Sequence, residues 1–214
     1  MVARTVLKLV IFDVDGTLYR SEPYEKHLLE KIIETLSEML GASYETAAKL
    51  LTNKKKFTKT VSGAVEMLGL DRGEFYERLA SRVDVEQHIR PDPRLPEFLK
   101  SLRRRGFRVA LHTNSGRRLA AKVLNALGVD EKAYDLLVTS DDSPPKPLPE
   151  GYQKILTHFG VQSHEAIYVG DRYEVELLPA RRLGMRTALI GKAGSPVQSD
   201  YVLDSIFDLY ALLQ

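Results

Sequence analysis

Four short apolar runs in this sequence are separated by longer segments that have the periodicity of helices. The runs are four to six residues long, and they cover residues 7–12, 107–112, 136–139 and 166–169. Their length and their Val, Ile, Leu and Phe content are typical of strands buried on both faces of a parallel sheet. Because strands and helices alternate, the sequence predicts an α/β fold with a doubly wound, mostly parallel sheet.

Helical patterns and two weaker strand patterns fill most of the second half of the chain. Apolar residues recur at helical spacing in residues 93–105, 119–127 and 174–183, each followed by a glycine. Glycine is the usual residue at which a helix stops. Residues 186–190 and 200–203 predict two further strands, and residues 206–213 predict a closing helix.

The interval between the first two strands is too long for a single crossover. A strand–helix–strand unit needs about 30 residues, so this interval has roughly 60 to 70 residues to spare. The surplus has helical patterns at residues 23–40, 44–51 and 61–68 and a helix opening at Asp71. We therefore predict a helical insertion at residues 20–90, within a Rossmann-like α/β core formed by residues 1–19 and 91–214.

Composition excludes several kinds of function. The 214 residues include no cysteine, which excludes a disulfide scaffold, a cysteine-bound metal and a cysteine nucleophile. Lysine and arginine number 31 against 29 acidic residues, so there is no chain-wide positive field to bind nucleic acid. The chemistry must come from oxygen and nitrogen groups.

Nothing in the sequence predicts a membrane partner. No apolar run approaches the ~18 to 20 residues that cross a bilayer. The N-terminus lacks the apolar core and the cleavage site of a signal peptide. We therefore expect a soluble, cytoplasmic protein, and the sequence leaves its oligomeric state open.

Polar side chains follow each of the four main strands. In an open α/β sheet the ligand site lies beyond the carboxyl ends of the strands, so these side chains are expected to meet. They are Asp13 and Asp15 after the first strand, Thr113 and Asn114 after the second, Lys146 after the third and Asp171 after the fourth.

Their chemistry indicates phosphoryl transfer. Three carboxylates at one edge repel one another, and a hard cation such as Mg²⁺ relieves that repulsion. A hydroxyl, an amide and an ammonium group suit the oxygens of a phosphate. Positioning and charge neutralisation provide most of the catalysis in such reactions. The motifs of serine hydrolases and P-loop proteins are missing from the sequence.

The sequence resembles the phosphatases of the haloacid dehalogenase (HAD) superfamily over almost its whole length. The helical insertion resembles the type 1 cap of that family. The family's four motifs appear in order as Asp13-Val14-Asp15-Gly16-Thr17-Leu18, Thr113, Lys146-Pro147 and Gly170-Asp171.

The resemblance implies a role for each of these residues. Asp13 would attack phosphorus and form an aspartyl-phosphate, and Asp15 would act as acid and then as base. The Asp13 carboxylate, the Asp15 backbone carbonyl and the Asp171 carboxylate would hold Mg²⁺. Thr113 and the Asn114 backbone amide would bind the phosphoryl group, and Lys146 would offset its charge. Dehalogenases of the superfamily lack the second aspartate, so Asp15 favours a phosphate ester over carbon–halogen chemistry.

One departure from the family pattern concerns the metal site. The family usually places a further aspartate four or five residues after Asp171, where this sequence has Val175 and Glu176. We expect Glu176 to contact the metal ion through a water molecule only. Glu174 is a second candidate for supporting the metal ion.

The expected substrate is a small phosphorylated metabolite, with phosphoglycolate, a sugar phosphate and a nucleoside monophosphate all open. A sugar phosphomutase and a non-catalytic phosphate-binding protein on the same scaffold are the alternative functions. Tyr19, Arg20 and Tyr24 follow the first motif and are candidates for contacts with the leaving group. His112 is expected to be a core residue, and the lysines at 54–56 are expected to form a solvated face.

Overall fold

The computed structural model describes residues 6–191 and 199–213, so the expectation about the N-terminal residues 1–5 lies outside the described part. Six parallel strands form one sheet in the order β3-β2-β1-β4-β5-β6. The strands are β1 Leu9–Phe12, β2 Arg108–His112, β3 Leu136–Val138, β4 Ala166–Gly170, β5 Arg186–Ile190 and β6 Tyr201–Leu203. The predicted α/β fold with a parallel sheet is confirmed.

Strand β1 lies in the middle of the sheet and is completely buried. It pairs in parallel with β2 on one side and with β4 on the other. Val10 and Phe12 pack into one apolar layer, and Leu9 and Ile11 pack into the layer on the opposite face. Because both faces are covered, the strand needs an unbroken apolar sequence, and its carboxyl end opens at the same edge as those of its neighbours.

Helices connect the strands and cover both faces of the sheet. Between β1 and β2 lie α1 Glu22–Leu40, α2 Tyr44–Thr58, α3 Val61–Met67, α4 Arg72–Arg82 and α5 Arg94–Arg104. After β2 come α6 Arg117–Ala126, α7 Glu150–Phe159, α8 Leu178–Arg182 and α9 Leu209–Leu212. Among the described residues, no helix is long and apolar enough to cross a membrane.

The structure adds or changes three elements relative to the sequence patterns. Helix α7 was not predicted, and its buried Tyr152 and Ile155 show which face packs on the sheet. The predicted helix at 174–183 is a π-helical turn, Tyr173–Leu177, followed by α8. The Tyr152 hydroxyl donates to the carbonyls of Val175 and Glu176, which stabilises that wider turn. Helix α2 continues through the lysines at 54–56.

The helical insertion, which we predict at residues 20–90, contains α1 to α4. Each of these helices begins with a hydroxyl or carboxylate side chain that accepts a backbone N–H three residues later. Such caps satisfy donors that the first turn of a helix leaves free. The capping residues are Ser21, Ser43, Thr60 and Asp71. The division of the chain into core and insertion stays a prediction.

The insertion contacts the sheet-bearing part of the chain through α3 and α4. Ser62 Oγ donates to the Asn114 carbonyl over 2.9 Å and lies 2.7 Å from the Tyr76 hydroxyl. Lys122 Nζ donates to the carbonyls of Ala80 and Val83 at the end of α4. Gly116 leaves room for this approach, because a Cβ there would lie 2.5 Å from Tyr76 Cβ.

We predict that Gly116→Ala destabilises the protein by about 1 to 3 kcal/mol, the usual cost of overpacking. The backbone at Gly116 has φ −66°, which alanine adopts freely, so the cost is a steric clash with Tyr76. Urea unfolding measures the change. Gly73→Ala in α4 is the control, and it is expected to change the stability less than Gly116→Ala does, because its Cβ would meet only the side-chain oxygen of Asp71, at 3.2 Å, and alanine favours the helix. Equal stability of Gly116→Ala and wild type would contradict the prediction.

Candidate active site

The carboxyl ends of the strands meet around one cavity of about 160 Å³. The structure brings together there most of the residues that the sequence selected, and Glu176 also lines the cavity. The predicted residues that line the cavity are Asp13, Asp15, Thr113, Asn114 and Lys146. Asp171 lies beside them, with one carboxylate oxygen within 4.8 Å of ligand atoms of Asp13 and Glu176.

Asp13 is buried and both of its carboxylate oxygens are fixed. Lys146 Nζ lies 2.5 Å from Oδ1, and the Thr17 hydroxyl donates to Oδ2 over 3.0 Å. The Asp13 backbone N–H donates to the Val169 carbonyl, which continues the β1–β4 pairing one residue past the strand. The first acidic side chain of the motif is therefore held rigidly at the floor of the cavity.

Lys146 is 1% exposed, and its ammonium group is fully paired. Besides Asp13, Nζ donates to the His112 carbonyl over 3.0 Å and to the Tyr168 hydroxyl over 3.3 Å. Burial alone would lower the pKa of Lys146, but the carboxylates of Asp13 and Glu176 raise it above its ordinary value. The lysine therefore stays charged.

His112 is buried beneath Lys146 and fits the expectation of a core residue. Its Nδ1 lies 3.2 Å from the Tyr168 hydroxyl, and its exposure is 2%. Burial and then the charge of Lys146 hold the pKa of His112 well below its ordinary value. The imidazole is therefore neutral, and the positive charge at this point belongs to the lysine.

Asp15 lies at the cavity with three hydroxyl groups around its carboxyl. Tyr19 donates to Oδ1 over 2.6 Å, and Thr113 and Ser115 donate to Oδ2 over 3.2 and 3.4 Å. Burial and then the neighbouring Asp13 raise the pKa of Asp15. A carboxyl group with a raised pKa holds a proton nearer to neutral pH than an ordinary aspartate does, which suits a general acid.

Asn114 positions Lys146 through its side chain, a contact that the sequence did not reveal. The Asn114 amide donates to the Lys146 carbonyl over 2.9 Å, and its oxygen accepts the Lys146 backbone N–H over 2.7 Å. The two residues are 32 positions apart in sequence, so no local pattern could have shown the pairing. The predicted phosphate contact of the Asn114 backbone amide is compatible with this role.

Asp13, Asp171 and Glu176 form an acidic cluster that fits a divalent cation. The Oδ1 atom of Asp171 is buried and has no hydrogen-bond partner among the described residues. Burial and then Asp13 raise the pKa of Asp171 to about 6 and that of Glu176 to about 8. A hard cation with oxygen ligands supplies the partner and the charge that this cluster lacks.

Two motif glycines allow the cluster to form. A Cβ at Gly16 would lie 2.5 Å from Asp171 Oδ2, and the positive φ of +89° there also favours glycine. A Cβ at Gly170 would lie 2.5 Å from Glu176 Oε2. Glu176 also accepts the backbone N–H groups of Asp171 and Arg172 over 3.1 Å each. Glu176 thus lies inside the cluster, and its expected action through water stays a prediction.

Two of the three predicted leaving-group contacts have other hydrogen-bond partners in the structure. Tyr19 binds Asp15, and Arg20 donates to the carbonyls of Gly16 and Ile190. Tyr24 is buried, and its hydroxyl has no partner among the described residues. Within the described part of the chain none of the three lines the cavity. The wall above Asp13 comes instead from α1, α3 and α4, through Leu28, Ile32, Val61, Tyr76 and Leu79.

Comparison with known proteins agrees with this geometry. The sequence profile of the haloacid dehalogenase-like hydrolases matches residues 7–184. That stretch contains all the residues described above as the floor and the walls of the cavity.

Several curated proteins are similar over most of their length. The chain is 23% identical to a glyceraldehyde 3-phosphate phosphatase of Methanocaldococcus jannaschii, over 98% of both chains. It is 28% identical to a phosphoglycolate phosphatase of Aquifex aeolicus, over 86% of this chain and 84% of the relative. Other matches include proteins named pyrophosphatase PpaX.

A solved structure shares the fold. The crystal structure of a HAD phosphatase from Thermococcus onnurineus superimposes with a TM-score of 0.69 at 26% identity. The match covers 97% of this chain and 98% of that one.

We predict that the metal-free protein becomes less stable as pH rises from about 5 to 8. Glu176 releases its proton near pH 4.5 when unfolded but only near 8 when folded, so deprotonation favours the unfolded chain between these values. One such proton changes the free energy of unfolding by about 1.4 kcal/mol per pH unit. Asp171 acts in the same direction, up to about pH 6. His112, whose pKa is lowered on folding, acts in the opposite direction below its ordinary value of 6.5, so the fall is expected to be clearest above that pH.

Urea unfolding in EDTA between pH 5.5 and 8.5 measures the free energy of unfolding at each pH. Glu176→Gln should reduce the rate at which that free energy falls as the pH rises. Glu174→Gln is the control, because Glu174 is exposed and pairs only loosely with Lys59 at 3.7 Å. It should keep the wild-type slope. A Glu176→Gln protein that loses stability as steeply as wild type would show that this carboxyl does not carry the effect.

Proposed function

Because the chain belongs to the haloacid dehalogenase-like hydrolase family, we propose that it hydrolyses a phosphate monoester of a small metabolite through an aspartyl-phosphate on Asp13, with Mg²⁺. The predicted family and the predicted class, a phosphoric monoester hydrolase of the HAD type, are confirmed by that match and by relatives named as phosphatases. The Mg²⁺ requirement, the intermediate and the residue roles are our proposal.

The observation that carries the mechanism is the environment of Asp13. Its carboxylate lies at the cavity floor, where Lys146 and Thr17 fix both oxygens. A nucleophile must be held in line with the bond it breaks, and such fixing provides that alignment. Lys146 also offsets the charge that accumulates when a carboxylate approaches a phosphate dianion.

In the first step an Asp13 oxygen attacks phosphorus, and the bond between phosphorus and the ester oxygen breaks. Asp15 gives its proton to the departing oxygen, so the leaving group departs as an alcohol. The raised pKa of Asp15 supports this assignment, because it keeps the proton available. Tyr19 and Thr113 hold the Asp15 carboxyl at the cavity.

In the second step a water molecule attacks the phosphorus of the aspartyl-phosphate. Asp15, now ionised, takes a proton from that water, and the bond between phosphorus and Asp13 breaks. Inorganic phosphate leaves, and Asp13 and Asp15 return to their starting states. One residue thus acts as acid and then as base.

The remaining roles concern binding of the phosphoryl group and the metal. We assign phosphoryl binding to Thr113, the Asn114 backbone amide and Lys146. Mg²⁺ would be held by the carboxylates of Asp13 and Asp171 and by the Asp15 backbone carbonyl, and it would supply positive charge to the phosphoryl oxygens. Glu176 is close enough to Asp13 and Asp171 to complete that set.

The proposed partner is a small phosphorylated metabolite. The relatives named above are phosphatases for glyceraldehyde 3-phosphate and for phosphoglycolate, which differ in whether the leaving group is charged. The phosphomutase and non-catalytic alternatives gain no specific support, and the joint presence of Asp13, Asp15 and Lys146 in one cavity weighs against the second. The cytoplasmic location and the lack of a nucleic-acid partner stay predictions.

We predict that Asp15→Asn hydrolyses p-nitrophenyl phosphate with a burst. Nitrophenolate leaves without a proton, so the first step survives, whereas the second step loses its base and slows by about 10² to 10⁴-fold. Stopped-flow absorbance should show one nitrophenolate per enzyme, followed by slow turnover. Asp13→Asn should show neither phase, and Asp204→Asn, at an exposed carboxylate, should behave as wild type. A burst from Asp13→Asn would exclude Asp13 as the nucleophile.

We also predict that EDTA abolishes hydrolysis of p-nitrophenyl phosphate and that added Mg²⁺ restores it. Asp171→Asn should raise the Mg²⁺ concentration for half-maximal rate by about tenfold or more, since loss of a metal contact weakens affinity at least that much. Asp204→Asn, at an exposed carboxylate, is the control and should match wild type. Full activity in EDTA would refute the metal requirement.

A further inference from the structure

Arg172 is a cation at the cavity to which the proposed mechanism gives no role. It directly follows Asp171, just after β4, and it lines the cavity. Its Nη2 atom donates to the Lys59 carbonyl over 2.8 Å. That carbonyl belongs to the connection between α2 and α3 of the helical insertion. The exposed side chain of Arg172 therefore extends from the edge of the sheet to the insertion, beside the cavity.

Most of the donors of the Arg172 guanidinium group are free. A guanidinium group has five N–H donors in a planar fork, and the Lys59 carbonyl accepts one of them. Within the described part of the chain, no carboxylate forms an ion pair with Arg172. Its charge opposes the rise in the pKa values of Asp171 and Glu176, but its side chain donates no hydrogen bond to either of them. The remaining donors are available to a molecule in the cavity.

Lys146 is the other positively charged side chain that lines the cavity, and its donors are already used. Its ammonium group donates to Asp13, to the His112 carbonyl and to the Tyr168 hydroxyl. Among the described residues, no further cation lines the cavity. An anionic group that the substrate carries besides its phosphoryl group therefore finds a cation with free donors only at Arg172.

A second cation, Lys55 of α2, lies near Arg172 without a partner of its own. It is half-buried, and burial and then the charge of Arg172 lower the pKa of Lys55. Glu174, an exposed carboxylate in this region, pairs with Lys59 at 3.7 Å instead. Two neighbouring cations with no anion between them repel each other, and an anionic ligand relieves that repulsion.

The surface that the insertion contributes to the cavity offers an anion no charged partner of its own. It consists of Tyr76 and four aliphatic side chains, those of Leu28, Ile32, Val61 and Leu79. A carboxylate against aliphatic groups loses its hydration without gaining a hydrogen bond. In this cavity a carboxylate is therefore stabilised at the edge where Arg172 lies.

We propose that Arg172 binds a carboxylate on the leaving group, so that the substrate is the phosphate monoester of a small hydroxy acid. This inference rests on the proposed function. The planar fork of a guanidinium group matches the two oxygens of a carboxylate, and its single charge balances the single charge of that group. The cavity volume of about 160 Å³ suits a leaving group of a few carbon atoms. Arg172 thus determines specificity and takes no part in breaking the ester bond.

The test compares kcat/KM for two three-carbon substrates, 3-phosphoglycerate and glycerol 3-phosphate. They differ in that a carboxylate in the first is a CH₂OH group in the second. We expect 3-phosphoglycerate to be preferred by about tenfold or more, the usual effect of a hydrogen bond to a charged group. An equal or reversed preference would overturn the inference. Assay of p-nitrophenyl phosphate separates the two levels, because the proposed function fails as a whole if that ester is not hydrolysed either.

Substitution of Arg172 tests the residue itself, measured as the ratio of kcat/KM for 3-phosphoglycerate to that for glycerol 3-phosphate. Arg172→Gln should lower this ratio by about tenfold or more, because the charged fork is lost. Arg20→Gln is the matched control. The charge of Arg20 also lowers the pKa of Asp171, but Arg20 does not line the cavity, so this variant should keep the wild-type ratio.

The ratio separates binding of the leaving group from a general effect on the site. If Arg172 acted on the phosphoryl group or on the acidic cluster, Arg172→Gln would lower kcat/KM for both substrates and for p-nitrophenyl phosphate alike. Such an equal loss, or the same ratio in Arg172→Gln and Arg20→Gln, would show that the inference is wrong. A loss confined to 3-phosphoglycerate, with hydrolysis of p-nitrophenyl phosphate retained, would support it.

Discussion

The buried ion pair between Asp13 and Lys146 is the contact on which the rest of the site depends. Removing two charges from water costs several kcal/mol per ion, so such a pair persists only if every donor and lone pair is satisfied. Here the ammonium group of Lys146 also donates to the His112 carbonyl and to the Tyr168 hydroxyl. The Thr17 hydroxyl donates to the second oxygen of the Asp13 carboxylate. Each of those partners comes from a strand of the sheet or from the loop after β1. The sheet order β3-β2-β1-β4 is therefore what lets the loop after β3 reach Asp13.

A second constraint acts on the other side of Asp13, where like charges gather. Asp171 and Glu176 lie close to Asp13, and glycine at positions 16 and 170 is what lets them approach. Burial and then the charge of Asp13 raise the pKa values of both carboxyl groups. The Asp13 carboxylate thus has Lys146 on one side and, on the other, two further carboxyl groups that could bind a cation. Positive charge on both sides of the nucleophile is what phosphoryl transfer needs.

Much of this arrangement could be predicted from the sequence, because its strongest signals are local. An apolar strand followed by polar residues can be recognised within a stretch of fewer than ten residues. Because parallel strands end at the same edge of a sheet, the polar residues that follow them are expected to meet there. The missing parts depend on contacts between distant residues. Asn114 fixes Lys146 across 32 positions, and Ser62 reaches Asn114 across 52. The π-helical turn that carries Glu176 is held by Tyr152 of α7, a helix that the sequence patterns did not reveal.

The central claim is that Asp13 becomes covalently phosphorylated. The most direct measurement is borohydride reduction of acid-quenched Asp15→Asn protein after brief incubation with substrate and Mg²⁺, followed by mass spectrometry of the peptides. Reduction converts an aspartyl-phosphate to homoserine, so position 13 should carry that conversion in the sample with substrate and should remain aspartate without it. An unmodified Asp13 in protein that has released its leaving group, or a conversion at another aspartate, would contradict the account.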